Sequence, residues 1–466
     1  MKKTICSFIS LSAACFMARL VMATDTYTYE NDGKTLVATV SGGDVQFTTS
    51  AADQALFTDS ITNFVKRGDK SLNVWANAAA SYTGDIRIEQ GTLNIWGRNA
   101  LGINMPYGVI QLQQGKLVQG SNSQSITIAK EIEFGFDGEW TGRSLEVWEG
   151  RIATVTGKIT TGNRNAYLYV YRNAVLNVSG GIEDPASGGA GYLCVGAYNG
   201  ANLTFTEKPV VMSHPIYFTL ENYHVNNPDT YRDESGYFSH ITFAVPSNSM
   251  MSVGYDNGSS NSRLRYHDLR TTVDWAFDKS GMKVYFGNDA RWDLCGTEQR
   301  VGQFDVKVTS GNASIVTNSL AAPATLHMGM IYEPSGSVPN IRFGGNLSVV
   351  FEGDIGNTKI NHEMTAKGCL TVNQAGTLNF LENGSWANAT NVTVNGTGKI
   401  AIANANALGK RANVNLAANS SLEIASGVTV TVRTLTIGGA EQPNGNYTFG
   451  SGTLRVFKPG TRLIIR

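Results

Sequence analysis

The chain has 466 residues, 42% of them hydrophobic and 16% charged, with 51 Gly and only 11 Pro, a mix that excludes collagen and extended disorder. Thirty-seven basic residues balance 37 acidic ones, so no net field draws the chain onto nucleic acid or an anionic membrane surface. The length suits either roughly two to four ordinary domains or one solenoid, whose size depends on repeat number rather than on a single core.

The first 23 residues, MKKTICSFISLSAACFMARLVMA, read as a secretory signal. Lys2 and Lys3 precede an apolar run from Ile5 to Met17, and small residues surround a cut after Ala23. Arg19 shortens the run below the roughly 20 apolar residues that a membrane span needs. No later segment approaches that length, so an exported chain without an integral membrane segment is expected once the signal is removed. Cys194, Cys295 and Cys369 would remain, an odd set without CxxC pairs, so neither a disulfide framework nor a metal site is expected.

Residues 24–66 are expected to form an N-terminal cap, with AADQALFTDSITNFVK (51–66) the one stretch of helical periodicity. Between 67 and 213 apolar and polar residues alternate as in strands: LNVWA (72–76), DIRIEQGTLNIWG (85–97), VIQLQQGKLVQG (109–120), SLEVWEG (144–150). The pattern recurs at about two dozen residues: Leu93 aligns with Leu117, Leu168 with Leu193 and Leu176 with Leu203. A unit of that size cannot bury its apolar face alone and must stack on its neighbours. The expected fold is all-β, a single-stranded right-handed parallel β-helix, with aliphatic side chains inward and glycine at corners that require φ > 0. At about 22 residues per coil the mature chain would make ~20 coils. Stacked β-sandwiches would require regular hairpin signals and linkers, and no linker is present. Residues 214–296 are expected to elaborate the coils with loops, and 297–466 to resume the helix and close it with a C-terminal cap.

The stretch from Val65 to Gly102 carries a more specific pattern. Val65, Lys66, Gly68, Leu72, Val74, Tyr82, Thr83, Gly84, Ile86, Ile88, Gly91, Thr92, Leu93 and the run Asn99-Ala100-Leu101-Gly102 together resemble the autotransporter-associated β-strand repeat, also called the passenger-associated transport repeat. A weaker copy spans 396–424, where Asn406-Ala407-Leu408-Gly409 repeats the last four residues. The resemblance implies a pectin-lyase-like β-helix of bacterial origin. Such passengers are displayed at or released from a surface as stalks or adhesins. The chain ends in repeat-like sequence, which implies a translocator supplied separately. RGD at 67–69 falls on a turn of the repeat, so an integrin motif is not expected.

The candidate chemistry lies in 214–296, which holds four of the six His and many aromatic and acidic residues. ENYHVNNPDTYRDESGYFSH (221–240) reads as a long loop, where binding residues tend to sit. Tyr223, Trp275, Asp289 and Trp292 are candidates for a glycan groove, the rings stacking on sugars and the carboxylate accepting from hydroxyls. Asp256, Asp289, Arg291 and Asp293 are an alternative acid/base cluster, since glycosidases need two carboxylates about 5 to 9.5 Å apart and lyases acids beside a base. The functional expectation is an exported, noncatalytic surface or extracellular scaffold that binds glycan or cell-surface components, with no cofactor. The alternative is a polysaccharide lyase or glycoside hydrolase on the same fold.

Overall fold

The computed structural model describes residues 25–120, 125–135, 143–163, 165–186, 191–198, 200–218, 239–254, 267–287, 289–307, 313–332, 338–353, 355–373 and 375–458. Ala23, Tyr223 and Asp256 lie outside the described residues. The chain is an all-β solenoid of parallel sheets, with about 15 turns. It divides into two compact units, residues 1–240 and 241–466, so the boundary falls inside the stretch expected to carry the loops.

In the first unit each coil adds one strand to each face. One face takes Thr35–Thr39, Asn63–Arg67, Asp85–Ile88, Val109–Leu112 and Glu131–Phe134 in succession; a second takes Val45–Phe47, Ser71–Val74, Gly91–Ile95, Gly115–Gln119, Ser144–Val147, Ala166–Val170, Leu193–Ala197 and Ile216–Phe218. A third face opens at Ile126–Ile128. Alternation decides which side chains enter. Leu72, Leu93, Leu117, Leu145 and Leu168 stand opposite one another in consecutive strands, and all are buried. Burying one such side chain contributes about 1.5–3 kcal/mol.

The expected pairings of Leu93 with Leu117 and of Leu176 with Leu203 are present. Leu168 instead pairs with Val195, two residues beyond Leu193. A shift by an even number keeps every inward residue inward, so Leu193 is still buried, opposite Ala166. Coils here run as long as 28 residues, from Leu117 to Leu145, which is one reason the count falls short of twenty.

The solenoid edge is covered at the start of the first unit by Thr26–Glu30, antiparallel to Thr35–Thr39, which removes an exposed parallel edge. The expected helix over 51–66 is confined to Ala51–Gln54, whose N-cap Ser50 accepts from the Asp53 N–H at 3.1 Å. Asn63–Arg67 is a strand because Phe64 and Val65 bury their side chains in the coil.

Lys66 is also buried there, its ammonium donating to the carbonyls of Arg67 (2.8 Å), Gly68 (2.7 Å) and Gln90 (3.2 Å). Burial pushes its pKa down to about 8, against the pull of Asp69, Asp25 and Asp44. Lys130 repeats the device on the Gly84 and Tyr107 carbonyls and is lowered likewise to about 8 by burial. The RGD tripeptide is part of this corner: Arg67 pairs with Glu30 and Glu89, and a Cβ on Gly68 (φ +81°) would lie 2.2 Å from the Val40 carbonyl oxygen.

The second unit continues the same plan with a tighter period. Its long face begins with the strands Asp278–Phe286, Glu298–Val306 and Ala324–Tyr332, each of nine residues. Val349, Leu370, Val392, Val414 and Leu435 then align at intervals of 21, 22, 22 and 21 residues. Aromatic rings fill the wider coils: Trp292 packs on Phe277 and Phe304, and Phe343 stacks on Trp386 at 5.5 Å between centroids. Asparagines tie successive coils together, Asn413 to Asn391 at 3.1 Å and Asn395 to Asn373 at 2.8 Å. Two antiparallel pairings close this unit, Thr434–Ile437 with Ala440–Glu441 and Gly445–Phe449 with Gly452–Val456.

The two Asn-Ala-Leu-Gly runs occupy comparable corners. Ala100, Leu101, Ala407 and Leu408 are buried. A Cβ on Gly102 or on Gly409 would come within 1.9 Å of the carbonyl oxygen of Tyr82 or Ala387, in the coil before. Glycine is required at both positions by that approach.

Candidate functional site

Two outer surfaces gather functional groups. The first follows from the register of the second face in the first unit. Val74, Ile95, Gln119, Val147, Val170 and Ala197 occupy one position in six successive coils. The next residue in each is Trp75, Trp96, Gly120, Trp148, Tyr171 and Tyr198. Each of these six donates its backbone N–H to the coil before, as Trp96 does to Val74 at 2.8 Å and Tyr171 to Val147 at 2.9 Å. Since the preceding residue points inward, these six point outward.

The result is an aromatic column at the coil spacing, interrupted once. Trp75 stacks on Trp96 at 6.1 Å, and Tyr171 on Tyr198 at 4.9 Å with planes 2° apart. Trp75, Trp96 and Trp148 are 44%, 37% and 45% exposed, values that a core-filling role would not give. The charges flanking the column are paired, Lys116 with Glu146 at 2.9 Å and Arg172 with Glu149 at 3.4 Å. Tyr171 also donates its hydroxyl to Glu146.

The second surface is a groove of about 720 Å³ across the nine-residue strands of the second unit, lined by Asp278, Lys279, Lys283, Arg300, Met330 and Glu352 among others. Arg300 donates to Glu352 (2.8 Å) and Asp278 (2.7 Å), and these partners, Glu352 foremost, hold its pKa above the ordinary arginine value. His327 lies between Glu298 (2.8 Å) and Glu352 (3.2 Å). An inverting glycosidase needs space for water between its two carboxylates, and here an imidazole lies between Glu298 and Glu352. Arg300 and His327 thus hold the carboxylates of Asp278, Glu298 and Glu352.

Of the residues expected to bind glycan, Trp275 does not line this groove; its ring is covered by Arg300 at 5.0 Å and by His327 at 5.5 Å. Trp292 is in the core, fully buried, with its indole N–H on the Thr271 hydroxyl at 3.2 Å. It cannot meet a sugar; alternation places it between the outward Arg291 and Asp293. Asp289 sits in a turn with φ +58°.

The expected acid/base cluster is brought together in part. Asp268 and Arg270 face Arg291 and Asp293 across adjacent strands, making a checkerboard in which Arg270 bonds Asp268 at 2.7 Å and Arg291 lies 3.5 Å from Asp293. Asp293 is buried and accepts from the N–H groups of Cys295 and Ser319, each at 3.0 Å. Both acids of this cluster are ion-paired, Asp268 with Arg270 and Asp293 with Arg291. Among the described residues no group of three or more His, Cys, Asp or Glu could hold a metal ion.

The column was missed in the sequence although its signal is plain there: SLNVW, TLNIW, SLEVW and YLYVY each end an inward–outward alternation with an aromatic ring. No family model, no curated protein and no solved structure matches the chain.

Proposed function

We propose that the protein is an exported, noncatalytic solenoid scaffold that binds an extended glycan along its aromatic column. The outward run of Trp75, Trp96, Trp148, Tyr171 and Tyr198 carries this reading. Strands in a parallel sheet are about 4.8 Å apart, close to the length one hexose adds to an extended chain. The exposed indoles of Trp75, Trp96 and Trp148 can therefore keep step with the repeat of such a chain. The apolar C–H face of a pyranose packs on exposed aromatic surface, and burial of that face adds the hydrophobic term. The paired charges beside the column favour a neutral polymer over a polyanion. Export and surface display rest on the N-terminal sequence and on the resemblance to passenger repeats.

Native gels cast with a neutral β-glucan, mannan or xylan test the reading. Retardation of residues 24–466 by at least one polymer is expected, with loss of that retardation in the Trp75→Ala/Trp96→Ala/Trp148→Ala variant. Mobility unchanged by all three polymers, or retardation that survives the triple substitution, refutes it.

A further inference from the structure

The interruption of the column at Gly120 is itself a site. We infer that the gap between Trp96 and Trp148 takes a single pyranose ring, held on both faces, so that the glycan recognised presents a terminal or branching sugar there. This rests on the column reading and adds to it.

The register places Trp96 one coil before Gly120 and Trp148 one coil after. Two strand spacings make about 9.6 Å. Carbon contact layers of about 3.5–4.0 Å on each side use about 7–8 Å of this. What remains exceeds the thickness of a flat ring and suits a puckered chair.

The floor of the gap supplies a second, independent observation. Asn94 is 5% exposed, and its side-chain oxygen is buried without a hydrogen-bond donor. Its amide nitrogen is committed to Asn73 Oδ1 at 3.1 Å, which fixes the oxygen as the free atom. A Cβ on residue 120 would lie 2.4 Å from that oxygen, so Asn94 Oδ1 stands at the root of the place where every other coil of the column has a ring. A buried acceptor without a donor is costly, and a sugar hydroxyl entering between the two indoles would donate to it. Glycine at 120 thus omits the ring and leaves the buried acceptor unpartnered at the base of the gap.

Titration of residues 24–466 with methyl gluco-, manno- and galactopyranosides, read by tryptophan fluorescence, tests the inference. At least one glycoside should shift the emission with saturation. Asn94→Ala should weaken that binding about tenfold, the loss of one good hydrogen bond, and Trp148→Ala should abolish the response. Gly120→Trp should close the gap, eliminating glycoside binding while polysaccharide retardation persists. If that variant unfolds by circular dichroism, Asn94→Ala and Trp148→Ala decide. Retardation by polysaccharide with no response to any glycoside, or a response indifferent to Asn94→Ala, overturns the gap and leaves the column standing. Absence of both signals overturns the column as well.

Discussion

Replacing Lys66 by Met tests the physics of the corner. The substitution keeps the length of the side chain and removes the donors that reach the carbonyls of Arg67, Gly68 and Gln90. At about 1 kcal/mol per orphaned acceptor, near the low end because a carbonyl retains a second lone pair, the loss is about 3 kcal/mol. Relief of the ammonium's desolvation returns part of this, leaving about 2 kcal/mol of destabilisation. For a unit of this size that lowers Tm by about 4–8 °C.

The pH dependence has a definite sign. Burial lowers Lys66 from 10.5 to about 8, so between these values the unfolded chain holds a proton that the folded chain has released. Stability contributed by Lys66 therefore rises with pH across that window and is flat below it. Thermal and urea unfolding followed by circular dichroism at pH 7.5 and 9.5 should show the wild-type advantage over Lys66→Met widening at the higher pH. Adding Lys130→Met, which is lowered to the same value, should widen it further. A variant as stable as wild type, or a gap that does not change with pH, would refute the reasoning.

Trp292→Ala should cost about 3–5 kcal/mol in urea unfolding, as expected for an emptied aromatic site in a core, and leave polysaccharide retardation intact in the folded fraction. Gly409→Ala should destabilise the second unit by about 1–3 kcal/mol, because its methyl would press on the Ala387 carbonyl; a neutral effect in calorimetry would show that the coils give way easily. Cys194 is buried, and burial pushes its thiol up to about 12, so it should resist a thiol reagent at pH 8 until the chain is denatured. Rapid labelling in the native protein would contradict its place in the coil.

The alternation around Leu93, Leu117, Leu176 and Leu203 was legible in the sequence because inward positions repeat both the residue type and the interval. Leu168 was not, since coil length varies where a corner is enlarged and a two-residue shift leaves the alternation unchanged. Trp292 shows the limit of composition as a guide: an aromatic residue near acids looks like a binding site until its neighbours fix which side of the strand it occupies. The column has the opposite lesson. Its rings lie some two dozen residues apart in sequence, and only the register of Val74, Ile95 and Val147 brings them into one line.

The asparagine ties of the second unit have an evolutionary consequence. Asn391 meets Asn413 at 3.1 Å, and Asn413 in turn accepts from Thr434 at 3.0 Å, so what one step offers the next is nearly the same as what it receives. Unequal recombination between such steps would add or drop a whole step and leave every surviving partner matched. Selection can thereby tune how many steps there are without ever passing through a misfolded intermediate.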